Sequence, residues 1–241
     1  MRIMSSTTIN YRTYRNRSCK AILSSIAICL VMLLVRIIIT SSLNYTFLIW
    51  NLFLAVLPWV ISHILMSSSN LNLGTKSTIG INLFVLGVLF TVWLLLLPNA
   101  PYLITDLKHL SHNGHILYYY DLSMLLSYSL LGISLFTTSL QRMVSIIFKQ
   151  PYFKKLNKIK PFAEYGLILL TAFGIFFGRS YRWNSWDLIH RPFDMVLDVA
   201  TLFYHFKDYP QAWLFVLGMA ILLSGCNYIS HITLISPSRN R

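Results

Sequence analysis

Six stretches of the chain are apolar for long enough to cross a lipid bilayer as helices: Ala21–Ile39, Asn44–Met66, Ile79–Leu97, Leu122–Phe148, Pro161–Gly178 and Ala212–Ile232. At about 1.5 Å of rise per residue, the 19 residues from Ala21 to Ile39 reach about 28 Å, close to the hydrocarbon thickness of a membrane. Composition points the same way. The chain is 56% hydrophobic and only 11% charged, with a mean hydropathy of +0.61, whereas soluble domains are about a quarter charged. So few charges could not cover a soluble core. The sequence therefore predicts an all-α polytopic membrane protein, a six-transmembrane-helix bundle with one additional interfacial amphipathic helix.

Residues 1–20 form a basic tail with Arg2, Arg12, Arg15, Arg17 and Lys20 and no acid; 21–233 form a single six-span membrane domain, and 234–241 a short C-terminal tail. A basic start before an apolar run also fits a secretory signal peptide. No small-x-small cleavage site follows it cleanly, so the first span is read as an uncleaved anchor, with Arg36 snorkelling to the headgroups from its far end. The second span holds Asn51, read as an interhelical hydrogen-bonding residue, a Pro58-Trp59 break and His63. Pro98 and Pro101 after the third span are expected to force an extended turn. Pro161 opens the fifth span, with Glu164 expected in its first turn, where the helix dipole favours an anion. That span ends in Gly174–Gly178, a small-xxx-small pattern suited to close helix packing. In Phe193–Tyr209 the residues Asp194, Asp198, Thr201, His205 and Asp208 draw one polar stripe on an apolar helix, as expected of a helix lying in the membrane interface.

Charge sets the expected orientation. With both termini and the linkers after spans two and four on the cytoplasmic side, that side holds 14 of the 20 Lys and Arg residues. This is the excess that the positive-inside rule requires. Six of the 7 acids then fall on the outer side, and Glu164 alone lies within. The localisation expected is a bacterial cell membrane, multi-pass, with both termini cytoplasmic.

Two polar segments open on that outer side: Pro98–Leu110, and Gly178–Pro192 with Arg179, Arg182, Trp183, Asn184, Ser185, Trp186, Asp187, His190 and Arg191. Asp106 and Asp121 flank the first loop. Asn184 or Ser185 can cap a new helix and put Asp187 near its N-terminus. One reading is structural, with arginine–aspartate pairs satisfying charge at the interface and tryptophans anchoring helix ends. The other is a binding site for an anionic headgroup, with arginines as bidentate donors and Asp106 or Asp187 as base or metal ligand. The three-residue spacing of Asp106, His109, His112 and His115 invites a metal, but Asn113-Gly114 breaks the helix that would align them. No metal site and no cofactor are therefore expected. Cys19, Cys29 and Cys226 form no CxxC pair. The net charge of +13 lies beside apolar runs with no nucleic-acid motif, so the partners expected are the lipid bilayer and an anionic lipid or lipid-linked substrate, not nucleic acid. No nucleophile-elbow, P-loop or HExxH motif is present.

The stretches IWNLFLAVLPWVIS (Ile49–Ser62), LLLLPNAPYLITDLKHL (Leu94–Leu110), YDL (Tyr120–Leu122) and GRSYRWNSWDL (Gly178–Leu188) resemble the bacterial integral-membrane family catalogued as domain of unknown function 1361. The likeness runs from Ile49 to the sixth span. It implies a multi-pass bacterial membrane protein and brings no activity with it. It marks Asn99, Asp106, His109, Asp121, Arg179, Arg182, Asn184, Trp186 and Asp187 as motif positions, and leaves out His112, His115 and His190. Two classes of function follow. One is an envelope-facing protein that binds or processes an anionic or lipid-linked substrate. The other is a transporter or non-catalytic accessory subunit. A transporter needs a polar path through the bilayer, and the span interiors offer little beyond Asn51 and the serines of span four, which favours the first class.

Overall fold

The computed structural model describes residues 3–68, 76–110, 116–150, 153–181, 183 and 190–235. The elements are α1 (Ile3–Thr40), α2 (Phe47–Ser68), α3 (Lys76–Leu96), a single turn α4 (Asn99–Tyr102) running into a 3-10 helix (Leu103–His109), α5 (Ile116–Lys149), a second 3-10 helix (Lys154–Ile159), α6 (Lys160–Ser180), α7 (Pro192–Tyr204) and α8 (Pro210–Ile235). Six helices are long and apolar enough to cross a membrane, and they coincide with the six apolar runs. There is no strand among the described residues. The chain is an all-α multi-pass membrane protein.

The most buried span is α5, and α1, α2, α4, both 3-10 helices, α6 and α8 all pack on it. α3 packs on α2. α5 can take this place because one of its faces is continuously apolar: Met124, Leu125, Tyr128, Leu131, Leu135, Phe136, Leu140 and Met143 are all buried. Their spacing of three and four residues is that of one helix face. Exposed Leu, Val, Ile and Phe side chains cover the outside of α1, α3 and α8, as lipid-facing surfaces require.

Three local expectations change. Pro98 and Pro101 do not produce an extended turn: Pro98 has φ −60° and ψ −24°, and the chain continues helically through Asn99–Tyr102 into the 3-10 helix. The first turn of a helix needs no N–H donors, so proline fits there. Nor does Pro58 break α2, which runs from Phe47 to Ser68 with the proline inside it. The Ser139 hydroxyl donates to the Pro58 carbonyl (2.8 Å) and accepts from Trp93 Nε1 (2.8 Å), which ties α2, α3 and α5 together beside the proline. Glu164 lies past the first turn of α6, is buried, and is bonded to α8 as described below.

The small-xxx-small pattern of α6 has an intramolecular partner. A Cβ at Gly174 would lie 2.5 Å from Pro98 Cγ, and one at Gly178 would lie in ordinary contact with the Tyr102 ring, at 3.6 Å. On the other side, a Cβ at Gly132 of α5 would lie 2.3 Å from the Ala100 carbonyl oxygen. The Pro98–Leu103 segment is thus wedged between two helices where glycine removes the obstructing side chain.

α7 presents three surfaces. Leu202 and Val199 pack with Phe177, Trp183, Ala212 and Trp213 in a small second core, and Phe203 meets Phe173 and Trp213 at ring distances of 5.7 and 5.1 Å. Asp194, Asp198 and Thr201 carry the polar stripe, and Phe193, Val196 and Leu197 are exposed beside it. A helix with one packed, one polar and one bare apolar face suits the interface between bilayer and water.

Candidate functional site

At one end of the bundle the wedged segment places a buried acid. Asp106, in the 3-10 helix, is 1% exposed, and its Oδ2 accepts a 2.9 Å bond from Asn51 Nδ2 of α2. The expected role of Asn51 as an interhelical hydrogen-bonding residue is what the geometry gives. Arg179, in the last turn of α6, donates from Nη2 to the Thr105 carbonyl (3.1 Å) and from Nη1 to the Tyr102 hydroxyl (3.4 Å), with its guanidinium 5.9 Å from the Tyr102 ring centroid. Arg179 and His109 are the basic residues near enough to act electrostatically on Asp106. The His109 ring lies 4.9 Å from Phe47, and its carbonyl accepts from the Tyr45 hydroxyl (3.3 Å).

Asp121 is engaged elsewhere. It forms a two-pronged ion pair with Arg36 of α1: Nε donates to Oδ1, and Nη2 to Oδ2 at 3.0 Å. The side chains of Arg36 and Asp121 are 13% and 8% exposed. The expectation that Arg36 snorkels to the headgroups therefore fails, because a carboxylate of matching depth on α5 turns it inward. Asn99 donates to the Leu96 carbonyl (2.9 Å) and so satisfies the end of α3. Of the nine sequence candidates, the structure gathers Asp106, His109 and Arg179 around the 3-10 helix, assigns Asp121 to an ion pair and Asn99 to a helix end. Arg182, Asn184, Trp186 and Asp187 lie outside the described residues, as do His112 and His115.

Sequence reasoning missed Tyr102 and Thr105 as the anchors of Arg179. It missed Arg36 as the partner of Asp121, although two charges at equal depth in spans one and four were a usable signal, since a charge in lipid seeks a partner. It also undercounted polar groups inside the spans. At the opposite end, Gln141 of α5 donates to Asn227 Oδ1 of α8 (3.0 Å), and Asn227 donates to Glu164 Oε2 (3.4 Å), which also meets His231 Nε2 (3.2 Å). Glu164 is the one acid on that side of the sequence, and this network ties α5, α6 and α8 together. Among the described residues, no group of three or more His, Cys, Asp or Glu side chains converges as a metal site would require.

No curated protein and no solved structure matches the chain. One protein family does, over residues 50–226, a stretch that covers well over half of the sequence and both polar segments. The chain belongs to the family described as "Protein of unknown function (DUF1361)".

Proposed function

We propose that the Arg179 end of the bundle is an envelope-facing site that binds the anionic headgroup of a lipid or lipid-linked substrate, in a bacterial cell membrane with both termini cytoplasmic. The observation that carries this reading is the state of Arg179. Its hydrogen bonds go to a carbonyl and a phenol, both neutral, and among the described residues it forms no ion pair. A guanidinium has five N–H donors in a rigid fork, so its charge and its remaining donors are open to an anion. On this reading Asp106, buried and bonded to Asn51, does not meet the ligand. On this reading Arg182 adds a second cation from the adjoining segment, and binding is the function, with no reaction required.

The test is thermal melting of the purified chain with added phosphate. At a concentration about a hundred times Kd, ligand binding stabilises by about 2.7 kcal/mol, a rise of about 5 °C or more for a chain of this size. Arg179→Lys keeps the charge but loses the fork, and is expected to abolish that rise. An equal rise in both proteins would sink the reading. So would a variant that melts lower while no anion shifts either curve, which would make Arg179 a staple.

The transporter reading gains the Gln141–Asn227–Glu164–His231 network as a second polar cluster. Between the two clusters, however, Tyr128, Leu131, Leu135, Phe136 and Leu140 of α5 are packed with Trp93, Leu97 and Leu103. That apolar layer favours a site at one face over a path. The orientation itself is tested by cysteine labelling in intact cells, on a background lacking the native cysteines. Cysteines placed at Lys108 and His190 are expected to react with an impermeant maleimide, and one at Lys155 only after lysis. Opposite answers at Lys108 and His190 would remove the shared face on which the site depends.

A further inference from the structure

At the opposite end from Arg179, a cavity of about 380 Å³ is lined by Ser145, Phe148 and Lys149 of α5, Asn157 of the second 3-10 helix and Lys160 of α6. Small-ligand sites start at about 300 Å³. Ser145, Phe148 and Lys149 stand three and four residues apart, on one face of α5. The α5–α6 linker folds back as a 3-10 helix that carries Asn157 over them and brings Lys160 in from the facing helix. Two lysines from separate helices therefore line one cavity.

The local sequence is basic throughout. From Lys149 to Lys160 there are five lysines and no acid. The first acid beyond them, Glu164, is turned into the bundle onto Asn227 and His231. Ser145 and Asn157 add two polar residues to the lining. The start of α6 beside Lys160 is bare and apolar: Ile159, Phe162 and Tyr165 are 48, 76 and 53% exposed. A water-soluble anion has no use for that surface, but acyl chains do. We propose that this cavity binds the phosphate headgroup of an anionic phospholipid, with Lys149 and Lys160 on the phosphate and Ile159 and Phe162 against the chains. Basic pockets between membrane helices bind such headgroups on general electrostatic grounds. The proposal does not depend on the Arg179 site.

The test uses the full chain in a zwitterionic detergent, with native mass spectrometry counting retained phosphatidylglycerol against phosphatidylcholine. Wild type and Arg179→Lys are expected to retain phosphatidylglycerol preferentially. A lysine near a membrane surface contributes about 1 kcal/mol to anionic-lipid attraction, or about fivefold in affinity. Lys149→Gln/Lys160→Gln is therefore expected to bind about 25-fold more weakly, with no competition from millimolar phosphate in wild type. If the double variant fails to fold, Lys160→Gln alone must show the single fivefold loss. Equal retention by wild type and the lysine variant overturns the proposal, as does equal retention of phosphatidylcholine. Loss in Arg179→Lys alone moves the lipid to the other end of the bundle and overturns it too. Full competition by millimolar phosphate would make this a soluble-anion site and overturn the proposal as well.

Discussion

Alanine at Gly132 is expected to remove most of the folded protein, while alanine at Gly218 leaves it intact. Both glycines are helical, and both substitutions add one methyl group. At Gly132 that methyl would sit 2.3 Å from the Ala100 carbonyl oxygen and 3.1 Å from Leu103 Cβ; at Gly218 nothing lies within 4 Å. The obstructing atom at Gly132 is backbone, held by the Pro98–Tyr102 turn and by the bond from Ser129 to the Leu103 carbonyl (3.2 Å), so it has little room to move. Overpacking of this kind costs about 1–3 kcal/mol and sometimes more, and a backbone clash belongs at the upper end. Gly174→Ala meets the Pro98 ring at 2.5 Å and should fall between the two. Size-exclusion profiles and melting curves of the three variants check the order. Equal melting of Gly132→Ala and Gly218→Ala would mean that the Pro98–Leu103 segment is not seated on α5, and the position of Asp106 would go with it.

That seat also shows what the sequence could and could not convey. The spans were legible because length and apolarity are local properties, and the six runs match the six helices to within a few residues at most ends. The glycine pattern of α6 was legible as close packing, but its partner was not. Gly174 meets Pro98, which is remote in the chain and lies in a segment whose prolines argued against a helix. Proline is read as a breaker from its missing N–H, yet the first turn of α4 asks for no N–H there, and tertiary packing decided between the two. Glu164 departed from expectation for a related reason. The helix dipole at the start of α6 is a weak attraction at short range, whereas Asn227 and His231 offered two direct partners to a carboxylate inside the bundle. Arg179 and Asp106 were found as candidates because polar residues at a membrane boundary stand out. Their anchors Tyr102 and Thr105 look like ordinary helix residues and did not.

The Arg36–Asp121 pair carries the second large expectation. Arg36→Met is expected to deplete folded protein strongly, because it leaves the Asp121 carboxyl 8% exposed and without the guanidinium that donates to both its oxygens. Removing one partner of a buried pair costs about 3–5 kcal/mol, whereas replacing both with apolar residues is often neutral. Arg36→Met/Asp121→Leu should therefore recover most of the stability that Arg36→Met loses, and melting curves of the single and double variants measure this rescue. Its contrast with Arg179 gives it weight beyond stability. Both are arginines at the same end of the bundle, but one is matched to a carboxylate and the other rests on neutral oxygens. A staple is rescued by deleting its partner, and a ligand-binding arginine is not, since its partner arrives from outside. If the double variant is no more stable than Arg36→Met alone, the pair is not a self-contained staple. Asp121 would then rejoin the groups available to a ligand.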